Sequence, residues 1–258
     1  MRIARYTTGE DPAYAVVEGD PGEEELLGIQ GDPLYQDIVF TGERVELAAA
    51  RLLAPVIPRS KVVGIGRNYA DHAAELGNEV PAEPLLFLKP NTSVVGPGDA
   101  VQMPLQSSDV QYEGELAVVI GRLCKDVPED KVGDVVYGYT CANDVTARDL
   151  QRQDVQFTRG KGFDTFCPLG PWIETELDPT DLALSTRLDG AVVQESRTSL
   201  LIHPVARLVA YVSAVMTLLP GDVILTGTPA GVGPVRSGQQ VEVEIEGLGS
   251  LSNRFVAK

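Results

Sequence analysis

Two glutamates, Glu113 and Glu115, stand two residues apart at the start of the apolar run Leu116–Ile120. On a strand, residues i and i+2 point to the same face, so the two carboxylates are predicted to project together. In a region of low dielectric they repel each other and lose solvation, and a divalent cation removes both penalties. Hard oxygen ligands suit Mg²⁺, Mn²⁺ or Ca²⁺ rather than zinc. A solvent-exposed strand end with two glutamates fits the same short pattern.

A third carboxylate, Asp144, follows an apolar strand-like run and opens a segment, 144–157, that is predicted as a polar helix. Asp144 is then either the residue that caps this helix or a further metal ligand. On such a helix Arg148 lies at i+4 and Gln151 at i+7, on the face of Asp144. A cation and an amide above a metal could hold the carboxylate of a 2-oxo acid.

His72 is one of only two histidines, and Glu75 follows it at i+3, so the two side chains can meet on a helix. A carboxylate that orients and polarises an imidazole produces a general base that works near neutral pH. A surface ion pair on a short helix is the simpler alternative. The preceding Gly64-Ile65-Gly66 lacks the third glycine and the βαβ context of a dinucleotide-binding motif, so that function is rejected.

Two lysines and one glycine-rich loop complete the candidates. Lys89 directly follows an apolar strand, and Lys161 stands between two glycines; either could simply be solvated. Thr226 begins a loop rich in glycine and threonine, 226–233, that could bind a carboxylate or form a plain tight turn. The loop lacks the ending of a P-loop, which argues against nucleoside triphosphates.

The elements that must position these residues divide the chain into two predicted domains, 1–57 and 58–258. The first has three short strand-like runs and a helix-like stretch near Val45–Leu53, and two prolines, Pro55 and Pro58, mark its end. The second is rich in short strands, among them Val241–Ile245, where valine or isoleucine alternates with glutamate. Its clearest helix is predicted over Ala206–Leu218. Many strands with few helices predict a mixed β fold of the α+β class.

Composition narrows the function classes. The net charge of −16 argues against nucleic acid and against an anionic membrane surface. Three cysteines without close spacing predict reduced thiols, the chain start lacks a secretory apolar region, and no run of about 18 apolar residues occurs. A cytoplasmic enzyme is therefore predicted. An anionic substrate would need local positive charge, which a metal, Lys161 and Arg148 could supply.

Taken together, these blocks resemble the fumarylacetoacetate hydrolase family over about residues 58–258. Six blocks occur in the order of the family: GRNYADHAAELG, LFLKPNTSVVGPG, YEGELAVVIG, NDVTARDLQ, GKGFDTFCPLGPW and MTLLPGDVILTGTPAGVG. The resemblance implies a β-roll core beside the small N-terminal β domain, usually assembled as a homodimer. It also implies a Mg²⁺ or Mn²⁺ site made of Glu113, Glu115 and Asp144.

The same resemblance assigns roles to the remaining candidates. His72 and Glu75 match the family's catalytic dyad, carried on a lid, and Lys161 matches its catalytic lysine. Substrate-binding positions match Arg148, Gln151 and Thr226, while Arg67 and Lys89 stand in matched blocks with less defined roles in substrate binding.

The implied substrate is a small, anionic 2-oxo acid of the acylpyruvate type, which reacts through an enolate that the metal stabilises. The complete dyad favours hydrolysis of a C–C bond, as in fumarylpyruvate, or decarboxylation, as in oxaloacetate. The alternative is tautomerisation, as in a 2-hydroxyhepta-2,4-diene-1,7-dioate isomerase. A non-catalytic metal-binding member of the family is a remote alternative, since dyad and carboxylates are all present.

Overall fold

The structure is a computed structural model that describes residues 1–20, 22–75, 77 and 79–258. The strands of the N-terminal part are β1 (Arg2–Thr7), β2 (Ala13–Glu18), β3 (Glu25–Ile29), β4 (Phe40–Glu46) and β5 (Arg51–Leu53). The later strands are β6 (Val62–Gly66), β7 (Leu85–Lys89), β8 (Val94–Val95), β9 (Val101–Met103), β10 (Val110–Tyr112), β11 (Gly114–Ile120), β12 (Val136–Asn143), β13 (Thr146–Ala147), β14 (Cys167–Glu174), β15 (Ala183–Leu188), β16 (Ala191–Arg197), β17 (Val223–Leu225), β18 (Gly233–Pro234), β19 (Gln240–Ile245) and β20 (Gly249–Ala257). The α-helices are α1 (Ala70–Glu75), α2 (Arg148–Asp154), α3 (Thr158–Lys161) and α4 (Val205–Val215).

The predicted fold class is confirmed: strands dominate and the helices are few and short. None of the helices within the described ranges combines the length and the apolar character needed to cross a membrane. Twelve strands form one sheet: ten follow the path β4-β3-β2-β1-β14-β12-β11-β17-β6-β7, while β5 pairs with β1 and β8 pairs with β14. The N-terminal strands therefore continue the sheet of the larger part, through the pairing of β1 with β14.

The helix expected near Val45–Leu53 is wrong. Strand β4 runs to Glu46, a 3₁₀ turn covers Leu47–Ala49, and β5 follows. Val45 pairs with Leu26 of β3, and β5 pairs with β1, so ladders to strands distant in sequence override the local pattern.

Strand β11 is central to the site, and all seven of its residues are buried. Leu116, Val118 and Ile120 face one hydrophobic core, while Ala117 and Val119 face another. This alternation follows from the period of two along a strand, and covering on both faces explains the continuous apolar run. A polar side chain at the start of such a strand is held away from bulk water.

A second sheet, with the order β16-β15-β19-β20-β9, contributes Val243 and Ile245 of β19 to the first of these cores. The predicted alternation in β19 is confirmed, since Val241, Val243 and Ile245 are buried and Glu244 is exposed. Helix α4 packs Leu208, Val209 and Val212 into the same core and confirms the predicted helix, except that it ends at Val215 where Met216 turns extended.

The helix predicted over 144–157 is wrong in its first turn and after Asp154, where α2 ends. Thr146 and Ala147 form β13, which pairs with β10, and α2 begins only at Arg148. Asp144 is therefore not the cap of that helix. The reason is long-range pairing of a β-branched segment, with Gln111 opposite Thr146, which local propensity does not reveal.

Candidate metal centre and active-site cavity

Three buried carboxylates meet where two paired strands begin and end. Glu113 lies between β10 and β11, Glu115 is the second residue of β11, and Asp144 directly follows β12. Since β11 and β12 are antiparallel, with Gly114 opposite Asn143, the end of one strand lies beside the start of the other. One oxygen from each carboxylate lies within 4.8 Å of the others, and each residue is at most 3% exposed.

Glu115 is the least neutralised of the three carboxylates. Burial raises its pKa well above the usual range, and the charges of Asp144 and Glu113 raise it further. Among the described residues its one hydrogen-bond donor is the N–H of Gly227, at 2.7 Å. A buried carboxylate in this state is stabilised by a cation brought close to it.

This donor set fits a hard divalent cation. All of the donors are carboxylate oxygens, which Mg²⁺ and Mn²⁺ accept in preference to softer ligands. One oxygen of each carboxylate lies within 4.8 Å of the other two, so a single ion could contact all three residues. Glu113, Glu115 and Asp144 are thus the residues that would hold the ion.

Lys161 links two of the carboxylates. Its Nζ donates to Glu113 Oε2 and to Asp144 Oδ2, both at 2.6 Å. Burial opposes the charge of Lys161, but Asp144 and Glu113 raise its pKa above the usual value, so the ammonium stays charged. A fixed positive charge therefore stands at the edge of the carboxylate cluster.

Lys89 and Arg148 provide two further cations. Lys89 Nζ donates to Asp144 Oδ1 and, at 3.3 Å, to the carbonyl of Val145. The guanidinium of Arg148 donates to Glu113 Oε1. Burial disfavours the ionised form of Glu113, but Lys161 and Arg148 hold its pKa below the usual range. Glu113 and Asp144 thus contact all three of these cations, and Glu115 contacts none of them. With Glu115 ionised, three negative charges balance three positive ones, so a divalent ion would leave the site two positive charges in excess.

Arg148 and Gln151 share one turn of α2, as the spacing of i and i+3 allows. Arg148 Nη1 donates to Gln151 Oε1 at 2.7 Å, and its Nε donates to Gln111 Oε1 at 3.0 Å. Asp144 was predicted to share a helix face with Arg148 and Gln151, but it lies before α2. Arg148 instead contacts Glu113 directly. Because Gln151 accepts from Arg148, its amide NH₂ remains for another acceptor.

The predicted pair of His72 and Glu75 forms on α1. Nδ1 of His72 lies 3.3 Å from Glu75 Oε2, and His72 is only 5% exposed. Burial lowers the pKa of His72, and the carboxylates of Glu113 and Glu75 oppose that shift only in part. The imidazole is therefore neutral near pH 7 and can accept a proton.

One cavity of about 360 Å³ opens onto these groups. It is lined by Ile65, Gly66, Arg67, His72, Phe87, Glu113, Glu115, Arg148, Gln151, Arg152, Phe157, Lys161 and Thr228. Seven of the sequence-predicted site residues are among them. Asp144 and Lys89 are buried behind the wall, where Asp144 contacts Lys161 and Lys89. Glu75 is exposed and contacts the lining residue His72.

Thr226 is placed differently from the expectation of substrate contact. Its Oγ1 donates to the carbonyl of Leu116 at 2.9 Å, and the residue is fully buried. The threonine that lines the cavity is Thr228, two residues further along the same loop. Its hydroxyl donates to the carbonyl of Gly114 and accepts from Gln194, so Thr228 also ties this loop to β11.

Sequence reasoning missed four residues of the site. Gln111 holds Arg148, and Arg152 lines the cavity one turn after Arg148. Both could have been predicted from spacing. Gln111 stands two residues before Glu113, as on one face of a strand, and Arg152 stands four residues after Arg148, as on one face of a helix. Phe87 and Phe157 form an edge-to-face pair with ring centroids 5.7 Å apart, and only the tertiary structure brings them together.

Comparisons with known proteins match both parts of the chain. The family model described as fumarylacetoacetate (FAA) hydrolase C-terminal matches residues 61–256, and the model described as Rv2993c-like, N-terminal, matches residues 1–55. Protein Rv2993c of Mycobacterium tuberculosis is 51% identical and the alignment covers 100% of this chain and 99% of that protein. Oxaloacetate tautomerase Fahd2a of Rattus norvegicus, a mitochondrial protein, is 45% identical over 99% of this chain and 92% of its own length.

Two solved structures extend the comparison. The 5-carboxymethyl-2-hydroxymuconate delta-isomerase of Mycobacterium smegmatis is 51% identical, with a TM-score of 0.93 and full coverage of both chains. The fumarylpyruvate hydrolase of Pseudomonas aeruginosa, solved with Mn²⁺ and pyruvate, is 36% identical, with a TM-score of 0.74 and coverage of 81% of this chain and 92% of that one.

Proposed function

The chain belongs to the fumarylacetoacetate hydrolase family, and from this membership we propose that it is a Mg²⁺- or Mn²⁺-dependent enzyme that breaks a C–C bond of a small 2-oxo acid. The bond is broken by hydrolysis of an acylpyruvate or by decarboxylation of an oxaloacetate-type acid. The observation that carries this proposal is that His72, a neutral base, shares one cavity with the carboxylate cluster.

The metal, when bound by Glu113, Glu115 and Asp144, supplies a Lewis acid that polarises a 2-oxo group. The excess of two positive charges in the loaded site would balance the carboxylate and the developing enolate charge at the 2-oxo end of the substrate. The free NH₂ of Gln151 and the guanidinium of Arg148 orient the substrate carboxylate. Lys161 places its ammonium where the enolate charge develops.

In hydrolysis, His72 takes a proton from water while the hydroxide attacks the distal carbonyl carbon, and Glu75 stabilises the imidazolium. The C–C bond then breaks, the acyl part leaves as a carboxylic acid, and the pyruvate enolate receives a proton at carbon. In decarboxylation no water is consumed; CO₂ leaves, and His72 delivers a proton to the enolate carbon.

Tautomerisation is the second candidate, because two relatives that match 99% or more of this chain are named as a tautomerase and an isomerase. In that reaction His72 moves a proton between carbon and the solvent or another carbon, and no C–C bond breaks.

A substrate panel tests both candidates. Metal-free protein receives Mg²⁺ or Mn²⁺, with an EDTA control, and is offered fumarylpyruvate, acetylpyruvate, oxaloacetate and a 2-hydroxydienedioate. Metal-dependent release of pyruvate supports C–C cleavage. A metal-dependent change of enol absorbance with no release of pyruvate supports tautomerisation and not C–C cleavage. If neither occurs with metal bound, both proposals are contradicted.

We also propose that the chain assembles as a homodimer, as the family resemblance implies. Light scattering coupled to gel filtration would then give a mass twice the 27.6 kDa of one chain. A mass of one chain at micromolar concentration would contradict this assembly.

A further inference from the structure

Gln194 of β16 is a buried amide that contacts the strand of the metal site. It belongs to the second sheet and is only 1% exposed. Its Oε1 accepts from the N–H of Gly114 at 3.0 Å. Its Nε2 donates to Thr228 Oγ1 and to the carbonyl of Pro229, both at 2.9 Å. The oxygen and both N–H groups of this amide are therefore engaged.

These contacts close a ring of hydrogen bonds around Gly114. Thr228 Oγ1 completes the ring, because it donates to the carbonyl of Gly114 at 2.9 Å. The backbone ladder between β11 and β17 covers residues 117–119, further along the strand. At Gly114 the side chains of Gln194 and Thr228 take the place of a neighbouring strand, so the buried N–H and C=O both have partners.

Gly114 also separates two of the metal carboxylates, Glu113 and Glu115. A Cβ at position 114 would lie 2.1 Å from Thr186 Oγ1 of β15, so the second sheet approaches β11 this closely because residue 114 is glycine. Glycine has the widest choice of backbone dihedrals. The relative direction of Glu113 and Glu115 depends on the dihedrals of the residue between them. The ring around Gly114 therefore restrains the spacing of these two carboxylates.

The NH₂ end of the Gln194 amide holds the loop after β17. In this loop the N–H of Gly227 donates to Glu115 at 2.7 Å. Further along, the N–H of Gly231 donates to Glu75 at 3.1 Å. The two residues that Gln194 contacts, at positions 228 and 229, lie between these glycines. One amide thus connects the metal carboxylates to the loop that fixes the dyad.

We propose that Gln194 is a positioning residue, which sets the spacing of the metal carboxylates and aligns the dyad with them. It acts through the Gly114 peptide and the loop after β17, and not by contact with substrate. The inference rests on the proposed function, because the metal site and the dyad are the two parts of that function. It makes the second sheet, which carries none of the sequence-predicted site residues, part of the active-site framework.

Mn²⁺ binding to the metal-free protein tests this role without turnover, with the electron paramagnetic resonance signal of free Mn²⁺ as the readout. Gln194→Met keeps the length of the side chain and removes its hydrogen-bonding groups. It should weaken Mn²⁺ binding about tenfold, which is typical when a residue that orients the ligands of a metal is lost. At saturating Mn²⁺, kcat of the reaction that the substrate panel identifies should fall about tenfold, while KM stays within about twofold.

Asn253→Leu is the matched control. Asn253 is a buried amide of β20 in the same sheet, and its Nδ2 donates to the carbonyls of Gly96 at 2.8 Å and Asp99 at 2.9 Å. Its loss should lower the urea midpoint of unfolding, as the loss of Gln194 does, because both variants leave buried backbone groups without a partner. Mn²⁺ affinity and kcat of Asn253→Leu should stay within about twofold of wild type.

A second pair of variants tests the ring from its other side. Thr228→Val removes the hydroxyl that closes the ring and should weaken Mn²⁺ binding about threefold or more, while Thr228→Ser keeps the hydroxyl and should restore the affinity. The double variant of Gln194→Met with Thr228→Val should lose less affinity than the product of the two single losses, because both residues act through Gly114.

The positioning role is overturned if Gln194→Met and Thr228→Val bind Mn²⁺ like wild type, or if Asn253→Leu weakens Mn²⁺ binding as much as they do. The proposed function stands in both cases. If Gln194→Met does not fold, Thr228→Val decides: lost affinity that Thr228→Ser restores supports the role, and wild-type affinity overturns it. If the wild-type protein binds no Mn²⁺, the proposed function itself fails, so the two failures are distinguishable.

Discussion

The backbone N–H of Gly231 donates to both carboxylate oxygens of Glu75, at 3.1 and 3.2 Å. This contact connects the loop after β17 to helix α1 and fixes the carboxylate that orients His72. A Cβ at position 231 would lie 2.1 Å from the carbonyl oxygen of Val193, and φ is 99°, so the position requires glycine. The dyad therefore depends on a residue that carries no side chain.

Gly231→Ala should lower kcat by up to about a hundredfold, because the loop must move and Glu75 then loses its donor. Gly238→Ala is the control, since its φ of 94° is equally left-handed but nothing lies within 4 Å of the added Cβ. Backbone strain should lower the free energy of unfolding of both variants by about 1–2 kcal/mol. Gly231→Ala should lose more, because its Cβ also clashes with the carbonyl of Val193. An equal loss of kcat in both would show that strain, and not the contact with Glu75, controls activity.

Glu115→Gln should change how the stability of the metal-free protein depends on pH. The folded-state pKa of Glu115 is raised above 4.5, so the folded state holds the proton more tightly than the unfolded state. Glu115 contributes its full stabilisation below the pKa of the unfolded state, and this stabilisation is lost as pH rises through the pKa of the folded state. The free energy of unfolding, measured with urea between about pH 5 and pH 8, should therefore fall more steeply with rising pH in wild type than in Glu115→Gln. Parallel curves would refute the raised pKa.

His72→Gln should lower kcat by about a hundredfold or more while Mn²⁺ affinity stays within about twofold, because the imidazole transfers protons and is not a ligand. In wild type, kcat/KM should fall as pH drops through a pKa below the ordinary 6.5, since burial disfavours the imidazolium. The acid limb should be absent in the variant. A marked loss of Mn²⁺ affinity would instead identify His72 as a ligand.

Thr226→Val should cost about 1 kcal/mol of stability, because the hydroxyl that donates to Leu116 is lost and the carbonyl of β11 is left with one donor fewer. KM should stay within about twofold, since the side chain is buried behind the cavity wall. Thr226→Ser retains the hydroxyl and should restore the stability. A large rise in KM with normal stability would support direct substrate contact.

The carboxylate cluster was accessible to sequence reasoning because it depends on local rules. Strand parity placed Glu113 with Glu115, and helical spacing placed His72 with Glu75. The apolar run after Glu115 indicated burial, which the structure shows. The resemblance of the motif blocks favoured the metal-ligand role of Asp144 over helix capping and gave Lys161 a role, and the structure brings both residues to the same cluster.

What failed depends on pairing between distant segments. The start of α2 was placed too early because β13 exists only through its ladder with β10, and the helix near Val45 was predicted because β3 and β1 lie elsewhere in the sequence. The predicted substrate contact of Thr226 stays a prediction, although Thr228 and not Thr226 lines the cavity. Which hydroxyl of a loop faces the cavity depends on the strand beside it, here the carbonyls of Leu116 and Gly114.

The most direct test of the carboxylate cluster as a site for metal and 2-oxo acid is water-proton relaxation of Mn²⁺ titrated into the metal-free protein. We predict one site with enhanced relaxation, loss of that enhancement when oxalate displaces water from the ion, and no site in Glu115→Gln. Enhancement that survives Glu115→Gln, or that oxalate leaves unchanged, would contradict the assignment of this cluster.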